Sequence, residues 1–427
     1  MKIKNILNSS LFKASGIYSV TSILNASIPF LLLPILTREL TPEDYGIVAM
    51  AAILINIITP FIGMSAHGAA QRKYFETDST HYARYIGNIF ILLITSSVIF
   101  LLLFFVFNSS ISKLTEIPGK WLYVLLLVAI SQFVSMILLT IWQCKTKPLL
   151  FGAFKIAQSL INFGLTILLV VYIKTGWEGR IVGQLVAALV GAAFCLAYMV
   201  KKKLICFEYN KGDIKDILKF SAPLIPHTLG GLVFAFTDRI FITNLVGIKE
   251  TGVYTVAFQI GSVLGLITSS FNSAYIPWLF AKLKTDLYAD KVKIVKFTYL
   301  YFAIILAAGL GSSFVLPWLT EKIAGESFKG AGVYVFWIVM GYVFNGMYLM
   351  VTGFVFYAKK TGMLSKVTLI SAAINIPLTY ILLKEFGTIG AAISTTIVFA
   401  LSFIFTWILS ARVYQMPWFS FNQAEPF

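Results

Sequence analysis

The chain has 427 residues, 58% of them hydrophobic and 12% charged, and its 34 Lys and Arg against 18 Asp and Glu give a net charge of +16. Soluble globular chains carry roughly 25% charged residues, so this composition excludes an ordinary water-soluble domain. The long apolar runs do not alternate with polar residues, which excludes a transmembrane β-barrel and leaves helices, whose backbone hydrogen bonds are satisfied inside lipid.

A membrane-spanning helix needs about 20 mostly apolar residues. Windows of that kind predict an all-α, polytopic protein with about twelve spans, near 15–37, 44–66, 83–107, 120–142, 150–173, 178–200, 219–247, 251–280, 294–317, 331–357, 363–383 and 388–411. The stretch before the first is basic and lacks a small-residue cleavage site, so the first span reads as a retained helix and not a signal peptide. In that span Tyr18, Ser22, Asn25 and Pro29 recur at helical spacing on one face. In the second, Asn56, Thr59, Gly63 and His67 do the same. The eighth span answers with Ser262, Gly265, Ser269 and Ser273, with Gln259 and Asn272 nearby. Two readings of such stripes are open: packing between helices by small and amide side chains, or the lining of a polar cavity. Recurrence in both parts of the chain favours the cavity.

The external loops, the longest near 108–120 and 320–330, leave no room for a catalytic domain, and no Walker A loop or HExxH is present. The reading is therefore not an enzyme, and no cofactor or metal is expected. Cys144, Cys195 and Cys206 fall at or near the cytoplasmic side without metal-ligand spacing, and no disulfide is expected.

Residues 201–219 carry Lys201, Lys202, Lys203, Lys211, Lys215 and Lys219. Within them, Ile214, Ile217 and Leu218 beside Lys215 and Asp216 predict a short amphipathic helix at the cytoplasmic interface. The seventh span follows and holds His227, Asp238 and Arg239, the densest ionisable set at membrane depth. His227 and Asp238 are eleven residues apart, close to three turns, and share a face with Gly231 and Phe234. Asp238 and Arg239 are neighbours, pointing about 100° apart, so they are expected not to face one partner together. Two depths are open. Asp238 and Arg239 lie ~27 Å along the helix from Phe220 at ~1.5 Å per residue, near the outer interface if the helix is upright. The apolar run continues through Ile248, however, which allows a deeper position. Pro223 and Pro226 predict a kink suited to a gate.

Charge orients the spans. With the N-terminus cytoplasmic, the inner segments hold 24 of the 34 Lys and Arg and the external loops 9, with Arg239 inside a span. The acids split evenly, so the pattern is the positive-inside rule, which depends on Lys and Arg. It accounts for the net charge without nucleic-acid binding. Both termini are then cytoplasmic, in a multi-pass membrane protein with the lipid bilayer as partner.

The chain also repeats itself. Thr37-Arg-Glu-Leu-Thr-Pro-Glu-Asp-Tyr-Gly46 falls on Thr243-Asn-Leu-Val-Gly-Ile-Lys-Glu-Thr-Gly252 at an offset of 206. Asn162-Phe-Gly-Leu165-Thr166 falls on Asn375-Ile-Pro-Leu378-Thr379, and Gly176-Trp-Glu-Gly179 on Gly387-Thr-Ile-Gly390. Six spans per half is an even number, so the halves are parallel repeats, the arrangement of secondary transporters with a substrate site between them. The expected organisation is a bundle over 1–200, a linker with its amphipathic helix over 201–218, and a second bundle over 219–427.

The stretches Gly63-Met-Ser-Ala-His-Gly-Ala-Ala-Gln-Arg72-Lys-Tyr-Phe, Phe220-Ser-Ala-Pro-Leu-Ile-Pro226, Asp238-Arg239-Ile-Phe-Ile, Gly252-Val-Tyr-Thr-Val-Ala and Ala274-Tyr-Ile-Pro277-Trp carry a resemblance. The chain resembles the oligosaccharide flippases of the multidrug/oligosaccharidyl-lipid/polysaccharide exporter superfamily, and within it those of O-antigen or capsule repeat units. The resemblance implies two six-helix bundles around a V-shaped cavity. It also implies transfer of undecaprenyl-diphosphate-linked oligosaccharide from the cytoplasmic to the periplasmic leaflet of the bacterial inner membrane by alternating access. A glycan polymerase and chain-length proteins are the implied protein partners. A sugar headgroup needs hydrogen bonds and a diphosphate needs positive charge to cross hydrocarbon. The expected substrate contacts are Arg239, Asn25, Tyr18, Asn56, Gln259, Asn272, Arg72 and Arg38, with Lys155 as a further cation. Asp238 and His227 are the expected ion-coupling or gate residues. Relatives that flip the peptidoglycan precursor have fourteen spans and arginines in the first two, whereas this chain has none within its first span. Two alternatives stand beside this reading: a cation-coupled drug or small-molecule antiporter of the same superfamily, and a non-transporting scaffold of a membrane glycan-synthesis complex.

Overall fold

The computed structural model describes residues 10–419, without the side chains of 10–16, 18–20, 29, 227 and 313. Among these residues there are sixteen α-helices and no strand. Eleven helices are long and apolar enough to cross a membrane, and one bent pair raises the number to twelve. The protein is a multi-pass, all-α membrane protein.

The chain divides into two compact units, the first running to Leu232 and the second from Val233. The first contains α1 (Ser10–Glu39), α2 (Pro42–Ile58), α3 (His67–Tyr74), α4 (Ser79–Val106), α5 (Asn108–Thr115), α6 (Gly119–Cys144), α7 (Pro148–Thr166), α8 (Gly176–Lys201) and α9 (Lys211–Ser221). The boundary falls within α10 (Leu224–Leu245). The second unit continues with α11 (Ile248–Gly261), α12 (Val263–Leu283), α13 (Tyr288–Ile323), α14 (Ala331–Tyr357), α15 (Thr361–Phe386) and α16 (Thr388–Val413).

Several expectations need correction. The predicted second span is not one helix. It breaks after Ile58, passes through the 3-10 turn Ile62–Ser65, and resumes as α3 at a bend of 60°. Asn56, Thr59, Gly63 and His67 therefore do not share a helix face. The break has a backbone cause: Gly63 adopts φ +64, and a Cβ there would stand 2.2 Å from the Phe133 ring, so the bend admits only glycine. The predicted external loop near 108–120 contains helix α5. The amphipathic helix runs on to Ser221, and the seventh span opens at Leu224, because Pro223 supplies no backbone N–H to continue α9. The eighth span is α11 and α12, interrupted at Ser262.

Within lipid there is no hydrophobic drive between helices, so close packing holds them. One helix in each unit is enclosed nearly all round. In α6, Leu122, Leu125, Val128, Ala129, Ile137, Leu138 and Ile141 are fully buried; in α14, Val335, Val343, Val351, Phe354 and Val355 are. Helix α8 carries Gly179, Gly183, Ala187 and Gly191 four residues apart, which brings its backbone against α7: a Cβ on Gly183 would lie 3.2 Å from the Thr166 amide nitrogen.

The repeat is visible in the backbone. Gly176 and Gly387, matched in the sequence, start α8 and precede α16 with φ +61 and +65. Gly179 and Gly390, three residues on, are each approached too closely to bear a side chain, by the Thr175 hydroxyl and the Leu382 carbonyl. Thr37 and Thr243 are both buried and both donate to the carbonyl four residues earlier.

Candidate functional site

In the second unit, a buried charge pair on α10 packs against aromatic residues of α11. Asp238 and Arg239 are each 6% exposed in their side chains, and Arg239 Nη1 lies 3.8 Å from Asp238 Oδ1. The other carboxylate oxygen accepts the Tyr254 hydroxyl at 2.8 Å. The Arg239 guanidinium also donates to the Ala235 carbonyl at 3.0 Å and lies 3.8 Å from the Phe258 ring centroid. Its carbon is 5.9 Å from the Tyr254 ring centroid. The expectation that these neighbours could not face one partner is corrected. Tyr254 is large enough to offer its hydroxyl to one and its ring to the other, and the long arginine stem folds back to reach it. Removing either charge from such an enclosed pair leaves the other uncompensated, which costs about 3–5 kcal/mol.

A neutral polar knot lies on α15 and α16. Thr379 donates to Asn375 Oδ1 at 2.9 Å and meets the Ser394 hydroxyl at 2.8 Å. Asn375 Nδ2 also reaches the Phe234 carbonyl on α10 at 3.4 Å, one turn before Asp238. The knot therefore holds the turn that presents the ion pair.

The first unit has a related knot at the repeat positions. Thr166 and Asn162 stand 3.5 Å apart on α7, and Arg180 from α8 donates to both, at 2.8 Å to Asn162 and 3.2 Å to Thr166. Further along α7, Ser159 donates to Asn25 on α1, whose amide nitrogen donates to its own helix at Thr21.

Elsewhere in the first unit, α9 is held by ions. Asp213 accepts from Arg84 at 3.1 Å and pairs with His81 at 3.0 Å. Asp216 pairs with Arg72 and accepts the Tyr85 hydroxyl at 2.8 Å. Asn88 bonds the Glu208 carbonyl and the Asn210 amide. Asp213, Ile217 and Phe220 thus turn one face toward α3 and α4, while Lys211, Lys215 and Lys219 are exposed on the other.

The expected site residues are scattered across these places. Arg239 and Asp238 meet each other. Arg72 meets Asp216 and lies 4.6 Å from the Phe220 ring centroid. Arg38 is exposed in the last turn of α1. Asn56 is exposed and bonds its own helix at Ala52. Lys155 lies over the Phe151 ring on α7. Gln259 is half-buried beside Phe258 on α11. Asn272 on α12 has an enclosed Oδ1 without a hydrogen-bond partner. Tyr18 and His227 have side chains outside the described residues. Among those residues, no three of His, Cys, Asp and Glu gather as metal ligands. Sequence reasoning missed Arg180 and Tyr254. The Asn-x-x-x-Thr repeat was the signal that could have led to Arg180.

Residues 11–283 match the family described as polysaccharide biosynthesis protein. The chain is 26% identical over 398 residues to an uncharacterized membrane protein of Haemophilus influenzae, covering 91% of this chain and 92% of that one. It is 25% identical over 408 residues to a putative O-antigen transporter of Shigella flexneri, covering 89% and 93%. In three dimensions it is similar to the lipid II flippase MurJ in an inward closed conformation, with a TM-score of 0.73 at 13% identity over 92% of this chain and 87% of that one. A likeness at that identity speaks to the fold.

Proposed function

The chain belongs to the polysaccharide biosynthesis protein family, and from that premise we propose that it is a flippase for undecaprenyl-diphosphate-linked oligosaccharide repeat units. It moves them from the cytoplasmic to the periplasmic leaflet of a bacterial inner membrane by alternating access, with both termini cytoplasmic. The observation that carries this reading is the similarity along 89% of the chain to a putative O-antigen transporter. The fold, similar to that of a lipid flippase, supports it.

The residue roles follow from the physical demand. Asn25, Tyr18, Asn56, Gln259 and Asn272 are suited to sugar hydroxyls, as donors and acceptors at membrane depth. Arg239 and Arg72 are held by carboxylates in this state, so a diphosphate must displace Asp238 or Asp216 to reach them; Arg38 is exposed. The pair Asp238–Arg239, with His227 on the same helix, is thereby suited to a gate that exchanges an internal anion for a substrate one. A glycan polymerase and chain-length proteins are the partners that would consume the product.

The test is complementation. A strain lacking its own repeat-unit flippase should regain surface glycan when this chain is expressed. Absence of surface glycan at normal membrane abundance, across strains with differing repeat units, would remove the reading.

A further inference from the structure

Arg180 stands apart from the other arginines of the chain. Arg38 and Arg412 are exposed in the last turns of α1 and α16. Arg72, Arg84 and Arg239 pair with Asp216, Asp213 and Asp238. Arg180 is half-buried in the second turn of α8, and among the described residues no carboxylate pairs with it. Its two side-chain bonds, to Asn162 and Thr166, both leave from Nη1 and both end on neutral oxygens.

A guanidinium carries five N–H donors and a charge that is never lost. Neutral acceptors orient it but do not neutralise it. Such a charge, partly withdrawn from water, is better satisfied when an anion meets it. The same knot in the second unit has no such demand: Asn375 and Thr379 close on the hydroxyl of Ser394. The two repeats therefore share a neutral frame, and the first has a cation set into it.

The local backbone is built for this. Directly after Thr166, α7 passes into the π-helical segment Ile167–Tyr172, a conformation rare in helices and frequent at functional sites. Gly179 and Gly183 bring α8 against α7 on the adjoining face. The frame thus fixes Nη1 and leaves the rest of the fork for another acceptor.

We propose that Arg180, oriented by Asn162 and Thr166, is an anion site that takes a phosphate group. The planar fork matches phosphate oxygens through parallel bonds, which a lysine cannot reproduce. The phosphate comes from either of two sources with the same chemistry, the diphosphate of the lipid-linked glycan or the headgroup of an anionic phospholipid. For the first source the proposal rests on the transport reading above. It deepens that reading by placing a phosphate contact toward the external end of the first unit, where the charge pattern puts the start of α8.

The experiment is binding to the purified full-length chain in maltoside micelles, which contain no phosphate. Farnesyl diphosphate and phosphatidylglycerol are titrated separately by calorimetry, with inorganic pyrophosphate as competitor. Arg180→Gln is expected to weaken binding about tenfold or more, and Arg180→Lys to recover only part of it. Asn162→Ala, which frees the fork without removing its charge, is expected to weaken binding less than Arg180→Gln. Loss confined to farnesyl diphosphate assigns the site to the substrate, and loss confined to phosphatidylglycerol assigns it to a headgroup. Unchanged binding of both probes in Arg180→Gln overturns the proposal. Should Arg180→Gln fail to fold, judged by its melting temperature without ligand, Arg180→Lys decides: full wild-type affinity there overturns it. Because this assay reads binding alone, its failure leaves the transport reading intact, whereas failed complementation leaves the anion site intact.

Discussion

Tyr254 donates its hydroxyl to Asp238 at 2.8 Å, while its ring faces the guanidinium of Arg239, 5.9 Å from centroid to carbon. One side chain on α11 thus braces both charges of α10. At the repeat offset of 206, the corresponding residues of the first half are Leu32, Leu33 and Val48. Leu32 and Leu33 are each 2% exposed. The fold accepts at one place either a braced ion pair or two leucines.

That equivalence predicts the outcome of removing the pair. Asp238→Asn and Arg239→Leu each orphan a buried charge and should lose about 3–5 kcal/mol, seen as low membrane abundance and a lowered melting temperature. The double variant Asp238→Leu with Arg239→Leu restores the arrangement of the first half and should recover most of that stability. If the pair is a gate, the double variant is abundant yet exports no glycan. A double variant as unstable as the singles would show that the two charges do not compensate one another.

Tyr254 separates into two parts. Tyr254→Phe keeps the ring and deletes the donor to Asp238, at a cost of about 1–3 kcal/mol. Tyr254→Leu also removes the ring beside Arg239 and should cost more. Equal melting temperatures for the two variants would mean that the ring contributes nothing to holding the arginine.

The bend between α2 and α3 depends on Gly63. Gly63→Ala meets the Phe133 ring and a positive φ together, and should destabilise by more than about 1 kcal/mol. Combining it with Phe133→Leu relieves the contact but not the dihedral strain, so recovery should be partial. Gly68→Ala, whose nearest neighbour would be 3.4 Å away, is the control and should be near neutral. Full recovery in the double variant would place the whole constraint in the ring contact.

Helix α9 is clamped to the first unit through two carboxylates of unequal burial. The Asp213 side chain is 8% exposed and that of Asp216 37%. Exposed pairs contribute roughly 0–1 kcal/mol and buried ones resist loss of a partner far more strongly. Asp213→Ala should therefore free α9 more than Asp216→Ala, read as faster tryptic cleavage near Lys211 and Lys215 in inside-out vesicles. The reverse order would contradict the burial argument.

The charge pattern predicts orientation. Reporter fusions after Lys203 and Lys291 should read cytoplasmic, and those near Pro118 and Glu326 external. An external reading at Lys203 would invert the assignment.

Most helices were legible from composition because lipid demands the same thing of every span. About 20 apolar residues are required wherever the chain crosses, so α14 (Ala331–Tyr357) and α16 (Thr388–Val413) match their windows closely. The repeat was legible for a related reason: positions such as Gly176 and Gly387 are tied to a backbone dihedral, which few residues other than glycine adopt.

The pairing of charges was decided elsewhere. Hydropathy located Asp238 and Arg239 within a span but carried no information that Tyr254, on the next helix, stands against both. Arg180 lies only four residues past Gly176, within the predicted 178–200 span, and the window says nothing about which way α8 turns it. Asp216 looked like part of the polar face of an interfacial helix until α3 supplied Arg72, and Asp213 found His81 and Arg84 on α4. Apolar length is a local property that each stretch of chain satisfies by itself, so the sequence alone determined the spans. The partner of a charge is chosen by residues distant in sequence, through distances of a few ångströms that only the packed helices set.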